Sequence, residues 1–133
     1  MMTAIQKKIL CIEDDTFLVN LIMGKLSDAG ILAQGAHNGA EGLLLVAAEH
    51  PALIMLDLML PDIRGNDVLV QLKENPETKD IPVIIFSNLG GREEVEKAMA
   101  QGASAYLIKS STLPGEVIDV IEQQLGISHA PKA

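Results

Sequence analysis

The sequence predicts an α/β fold, a doubly wound parallel sheet of five strands with five helices on its two faces, and three observations carry that expectation. Four short apolar runs each stop at a polar residue: Ile9–Ile12 at Glu13 and Asp14, Leu53–Leu56 at Asp57, Val83–Phe86 at Ser87, and Tyr106–Ile108 at Lys109. Between the runs lie segments whose apolar residues recur at helical spacing. Gly, Pro and Asn punctuate the junctions, with no long linker and no internal repeat. A run that is apolar at every position suits a strand buried on both faces, as in parallel sheets covered by helices.

Each element has its own justification. Residues 8–13 form the first strand, after which Leu18, Leu21, Ile22, Leu26 and Ala29 mark a helix stopped by Gly30. Ile31–Ala36 is a weaker second strand. Asn38 is placed to cap a second helix carrying Leu43, Leu44, Val46 and Ala47 as far as Pro51, although Gly42 is a poor helix former in its interior. Ala52–Asp57 is the third strand, and a loop with Pro61 and Gly65 leads to a third helix with Val68, Leu69 and Leu72. Residues 75–80 read as a turn. Ile81–Ser87 is the fourth strand, with Pro82 near its start, where a missing N–H is tolerated. Gly90 and Gly91 suggest a mobile loop before a fourth helix that buries Val95, Ala98 and Met99 and closes at Gly102. Ser104–Ile108 is the fifth strand. Val117, Ile118, Ile121 and Leu125 mark the last helix, ended by Gly126 and followed by a frayed tail over Ser128–Ala133.

Composition narrows the function classes. The 133 residues are one domain's worth, and 48% apolar content with two Phe, one Tyr and no Trp implies an aliphatic core. A net charge of -8, from 18 acidic and 10 basic residues, argues against direct contact with nucleic acid or anionic lipid. No apolar stretch approaches a membrane span and Met1–Lys8 is no secretory segment, so a cytoplasmic location is expected. The single Cys11, inside an apolar run, reads as a small core residue. His37, His50 and His129 are scattered and read as surface residues.

If the runs are neighbouring parallel strands, their carboxyl ends gather Glu13, Asp14, Asp57, Ser87 and Lys109 at the edge where open α/β folds bind ligands. Clustered carboxylates repel unless a cation sits among them, and an all-oxygen donor set favours Mg²⁺. An Asp carboxylate can attack phosphorus to give an acyl phosphate while a metal and an ammonium neutralise the transferring oxygens. Asp57 fits the nucleophile, Lys109 the ammonium and Ser87 the hydroxyl donor.

The blocks Ile9-Leu10-Cys11-Ile12-Glu13-Asp14-Asp15, Leu53 to Pro61, Val83 to Ser87 and Gly102 to Lys109, in that order and spacing, resemble the receiver domain of two-component response regulators. The match covers residues 7 to about 125, with short tails completing one domain over 1–133. The resemblance implies a flavodoxin-like sheet of order 2-1-3-4-5 and Asp57 as acceptor of a phosphoryl group from a histidine kinase or histidine phosphotransfer protein. It implies that Asp14 and Asp57 bind Mg²⁺ directly, that Glu13 contributes directly or through water, and that Met59 offers its backbone carbonyl. It also implies that Ser87 and Lys109 hold the phosphoryl oxygens, that Ser87 and Tyr106 act as a switch, and that the fourth helix, fifth strand and fifth helix present the output face to a downstream protein. Met59 and Leu89, two positions beyond Asp57 and Ser87, would flank the path of the hydrolytic water. Both are apolar, so slow dephosphorylation is expected.

Two departures stand out. Ser110 follows the lysine where the family usually has a proline after a cis bond, and the expectation here is cis at Lys109–Ser110 despite a cost of about 3 to 4 kcal/mol. Asn88 replaces a small residue and is expected to crowd the phosphoryl pocket. A degenerate receiver serving as a constitutive interaction module, a receiver piece of a larger regulator, and a flavodoxin-like nucleotide or flavin binder are the alternatives. The acids of Glu13-Asp14-Asp15, where a phosphate cradle would carry Gly and donors, speak against the last of these. Read singly, Asp15 is a helix N-cap.

Overall fold

The computed structural model describes residues 8–127, so the tail expected over Ser128–Ala133 lies outside the described residues, as do His129 and the first seven positions. In chain order the elements are β1 (Lys8–Ile12), α1 (Thr16–Asp28), β2 (Leu32–Ala36), α2 (Gly39–Glu49), β3 (Leu53–Leu56), α3 (Gly65–Glu74), β4 (Val83–Ser87), α4 (Arg92–Ala100), β5 (Ala105–Ile108) and α5 (Pro114–Leu125). All strand pairs are parallel, in the order β2-β1-β3-β4-β5.

The apolar runs split by alternation, as a pleated strand requires. Leu10, Ile12, Ile54, Leu56, Val83 and Ile85 face Val46 of α2, Val68, Leu69 and Leu72 of α3, and Ala98 of α4. Their neighbours Ile9, Cys11, Leu53, Met55, Ile84 and Phe86 face Val19, Ile22 and Leu26 of α1 and Val117, Ile118 and Ile121 of α5. Helices therefore cover both faces, two on one and three on the other. Burial also pushes the Cys11 thiol up to about 12, with the nearby Glu13 carboxylate adding to the effect, so this residue is an inert core group.

Helix starts and stops follow local chemistry. The Asp15 carboxylate accepts from the Leu18 N–H at 3.2 Å, as expected of an N-cap, and Asn38 accepts from Glu41 N–H at 2.8 Å to start α2. Gly126, in the left-handed region at φ 70°, ends α5. Gly42 lets α2 pack closely on β1, since a Cβ there would lie 2.6 Å from Ile12 Cδ1.

Four expected core positions are corrected. Leu44 is 72% exposed and Leu21, Ala47 and Met99 also face outward, while Val19, absent from the expected α1 face, is buried. In α1 and α2 apolar residues lie nearly all round the helix, so spacing alone does not select the inward stripe.

Candidate functional site

Parallel register brings the four run ends together. Ile12 pairs with Leu56, Leu56 with Ile85, and Ser87 with Ile108, so Glu13, Asp57, Ser87 and Lys109 all sit at the carboxyl edge of the sheet. Glu13 and Asp57 are only 3% and 5% exposed, whereas Asp14 faces solvent. One carboxylate oxygen from each of Glu13, Asp14 and Asp57 falls within 4.8 Å of the others.

Lys109 is the cation facing them. Its ammonium donates to Asp57 Oδ2 at 2.9 Å and forms an ion pair with Glu13 Oε1. The remaining oxygens take backbone donors: Met59 N–H reaches Asp57 Oδ1 at 3.1 Å, and Asp15 N–H reaches Glu13 Oε2 at 3.1 Å. Asp57 is thus held in one orientation from two sides. Burial raises the Glu13 carboxyl to about 7 against the opposing pull of its hydrogen bond to Lys109. Burial would lower the Lys109 pKa, but its bonds to Glu13 and Asp57 outweigh that and leave it raised.

Three carboxylates against one ammonium leave the site with surplus negative charge, and its donors are all oxygen. Those residues fit a hard divalent cation such as Mg²⁺, which takes one or two carboxylates and keeps part of its water. A cleft of about 400 Å³ opens beside them, lined by Asp14, Met59, Leu60, Arg64, Asn66 and Leu89 among others.

Ser87 is fully buried at the end of β4, and its hydroxyl accepts from Leu89 N–H at 3.3 Å. The Leu89 carbonyl in turn accepts from the Tyr106 hydroxyl, so the β4–α4 loop is tied to both Ser87 and β5. Desolvation raises the Tyr106 pKa, and the Glu94 and Asp57 charges add to it.

The expected cis bond is corrected: no peptide bond among the described residues is cis. Without proline the trans form is favoured by several kcal/mol, about 3. Lys109–Ser111 instead continue trans into a single 3-10 turn, and the Thr112 hydroxyl donates to the Ile108 carbonyl at 2.7 Å. The lysine's flexible four-carbon stem still brings its ammonium to Asp57. Asn88 follows Ser87 at the end of β4 and is exposed.

Two polar residues near the site have no local signal in the sequence. Asp62, in the loop between β3 and α3, accepts from Gly39 N–H and Ala40 N–H at the start of α2. Asn66, buried in the first turn of α3, donates its amide to Gln101 Oε1 at 2.8 Å at the end of α4. Both partners are distant in sequence, which periodicity does not report.

Comparison with known proteins gives concordant matches. The family model described as response regulator receiver domain matches residues 9–122. The DNA-binding dual master transcriptional regulator RpaA of Synechocystis is 38% identical over 102 residues, covering 77% of this chain but 42% of RpaA, so the chain spans less than half the length of that relative. The polar-differentiation response regulator DivK of Brucella ovis is 29% identical over 120 residues, covering 90% of this chain and 97% of DivK. Among solved structures, the Francisella response regulator 1452 receiver domain superposes with a TM-score of 0.84 at 27% identity, over 91% of this chain and 98% of that one.

Proposed function

The chain belongs to the response regulator receiver domain family, and from that premise we propose that it is a phosphorylation-dependent signalling switch whose chemistry is phosphoryl transfer to and from Asp57 with Mg²⁺. The observation that carries this reading is Asp57 itself, a buried carboxylate oriented by Met59 N–H and Lys109 beside Glu13 and Asp14.

The step balances simply. A carboxylate oxygen of Asp57 attacks phosphorus in line, the bond from phosphorus to the donor atom breaks, and the leaving group departs with that bond's electron pair. The donor in a signalling chain would be a phosphohistidine on a histidine kinase or phosphotransfer protein. Asp14, Asp57, Glu13 and the Met59 backbone carbonyl would hold Mg²⁺, which when bound supplies positive charge to the transferring oxygens. Lys109 supplies a second charge and Ser87 a hydroxyl donor. Ser87 drawn toward the phosphoryl group would pull on the β4–α4 loop through Leu89, whose carbonyl holds Tyr106. That linkage would carry the change to an output face on α4, β5 and α5, where a downstream protein binds.

The constitutive-module alternative drew on the missing proline and on Asn88. Lys109 nevertheless contacts Asp57 without the proline, so that departure does not favour it. The DNA binding named for RpaA belongs to that longer protein. Incubation with acetyl phosphate and Mg²⁺ tests the proposal: intact mass should rise by one phosphoryl group and peptide mapping should put it on Asp57. No gain, or a gain elsewhere, would overturn it.

The lifetime of the phosphorylated state follows from the cleft walls. Met59 and Leu89 both line it, and neither side chain can hydrogen-bond a water aligned with phosphorus. First-order decay after donor removal should be slow, on the order of minutes or longer, and Met59→Asn and Leu89→Glu should each accelerate it by about tenfold by offering a positioning group. Decay within seconds in the wild type, or no acceleration in either variant, would remove the water-exclusion account.

A further inference from the structure

The loop between β3 and α3, residues 57–64, is fastened to the start of α2 by one side chain. Asp62 spreads its carboxylate over two consecutive amides, Gly39 N–H donating to Oδ1 at 2.8 Å and Ala40 N–H to Oδ2 at 2.9 Å. These belong to the group of helix-start donors that have no partner within the helix. Asn38 takes the Glu41 amide, so the start of α2 is capped twice, locally by Asn38 and from across the fold by Asp62. Gly39 makes the approach possible: a Cβ there would lie 3.1 Å from Ile63 Cβ, 3.1 Å from Val68 Cγ2 and 3.3 Å from Asp62 Oδ1.

Elsewhere the same loop is closed on itself. Met59 N–H donates to Asp57 Oδ1, and Gly65 N–H donates to the Leu58 carbonyl at 3.0 Å. Between those two bonds the chain forms a wall of the cleft through Met59, Leu60, Pro61 and Arg64. The side chains of Met59 and Pro61 face solvent, while Leu58 is buried and Leu60 and Ile63 pack against the core, so burial anchors only the inner side of the loop and its outer positions depend on these hydrogen bonds and on Asp62. Asp62 is itself exposed, and its bonds to the Ala40 and Gly39 amides hold its carboxyl below the usual range.

We propose that Asp62 is a positioning residue for the metal site, fixing the β3–α3 loop against α2 so that the Met59 backbone is in place before Mg²⁺ binds. The inference rests on the Mg²⁺-dependent reading of Asp57 given above. Freed from α2, the loop would have to be ordered by the metal, which lowers metal affinity. Lys109 and Ser87 would be untouched, and bound Mg²⁺ would order the loop again and with it the Met59 N–H bond to Asp57, so the rate at saturating Mg²⁺ should hold.

The test compares Asp62→Ala with Asn38→Ala, which removes a cap from the same helix without touching the loop. In metal-free protein, amide exchange at Met59 and Ile63 should quicken in Asp62→Ala and stay at the wild-type rate in Asn38→Ala. Calorimetric titration should give a Kd for Mg²⁺ about tenfold weaker in Asp62→Ala and unchanged in Asn38→Ala. Phosphorylation at saturating Mg²⁺ should stay within about twofold of wild type in both. Asp62→Asn, which keeps one accepting oxygen, should fall between wild type and Asp62→Ala. If wild type binds Mg²⁺ and is phosphorylated but Asp62→Ala matches Asn38→Ala in exchange and in Kd, the positioning role is overturned alone. Wild type that does neither would overturn the functional reading and this inference with it.

Discussion

Asp57→Asn should reduce phosphoryl incorporation from one group per chain to none, with the fold intact. The amide can keep the approximate shape of the carboxylate and accept from Met59 N–H through its oxygen, but it offers no anionic oxygen to attack phosphorus. Loss of labelling by unfolding would be a trivial explanation, and the electrostatics argue against it. The substitution removes one of three clustered carboxylates and leaves the Lys109 and Glu13 ion pair, so metal-free stability should equal or exceed wild type. Intact mass after acetyl phosphate treatment, together with a thermal melt in chelator, separates the two effects. Chelation of Mg²⁺ should abolish labelling of wild type as well. Asp14→Ala should weaken Mg²⁺ binding strongly, whereas Asp15→Ala should leave it nearly intact, because the Asp15 side chain caps α1. Labelling that survives Asp57→Asn or chelation, or equal losses from Asp14→Ala and Asp15→Ala, would overturn the ligand assignment.

Ile9–Ile12, Leu53–Leu56 and Val83–Phe86 are readable as strands because each residue in them is buried, and only a strand covered on both faces keeps so short a run wholly apolar. The candidate site is readable for the same reason: its residues stand where those runs stop, and parallel pairing brings the stops to one edge. Strand order is a different matter. Nothing in a local period says that β2 lies beyond β1, and that expectation came from the family resemblance. Also hidden were Asp62 on Gly39, Asn66 on Gln101 and Tyr106 on Leu89, which join residues 23, 35 and 17 positions apart. Such pairs arise from tertiary packing, and neither partner carries a local pattern that points to the other. The Lys109–Ser110 bond failed for the opposite reason. Family geometry was carried onto a residue without the proline that lowers the cost of cis, and a trans 3-10 turn delivers the same ammonium to the same carboxylate.

Lys109→Met should destabilise the metal-free protein by about 3 kcal/mol, the scale for breaking a buried ion pair from one side. Glu13 and Asp57 would then face each other across the site with no neutralising group between them. Mg²⁺ should recover most of the loss, since the divalent ion supplies the charge that the ammonium gave, and its affinity should rise because a competing cation has gone. The pH dependence has a definite sign. Glu13 already sits raised to about 7 in the folded protein against its ordinary value of 4.5, so the folded state holds the extra proton across that window and stability declines as pH rises through it. Removing Lys109 takes away the contact that opposes the rise and pushes the Glu13 carboxyl higher still. The destabilisation should therefore be greater at pH 8 than at pH 6, where a protonated Glu13 relieves the repulsion. Urea unfolding of wild type and variant at both pH values, in chelator and in Mg²⁺, measures all of these terms. A loss under about 1 kcal/mol in chelator at pH 8 would mean that water screens the carboxylates more than their burial implies. A loss that Mg²⁺ leaves unchanged would mean that the acids do not share a cation.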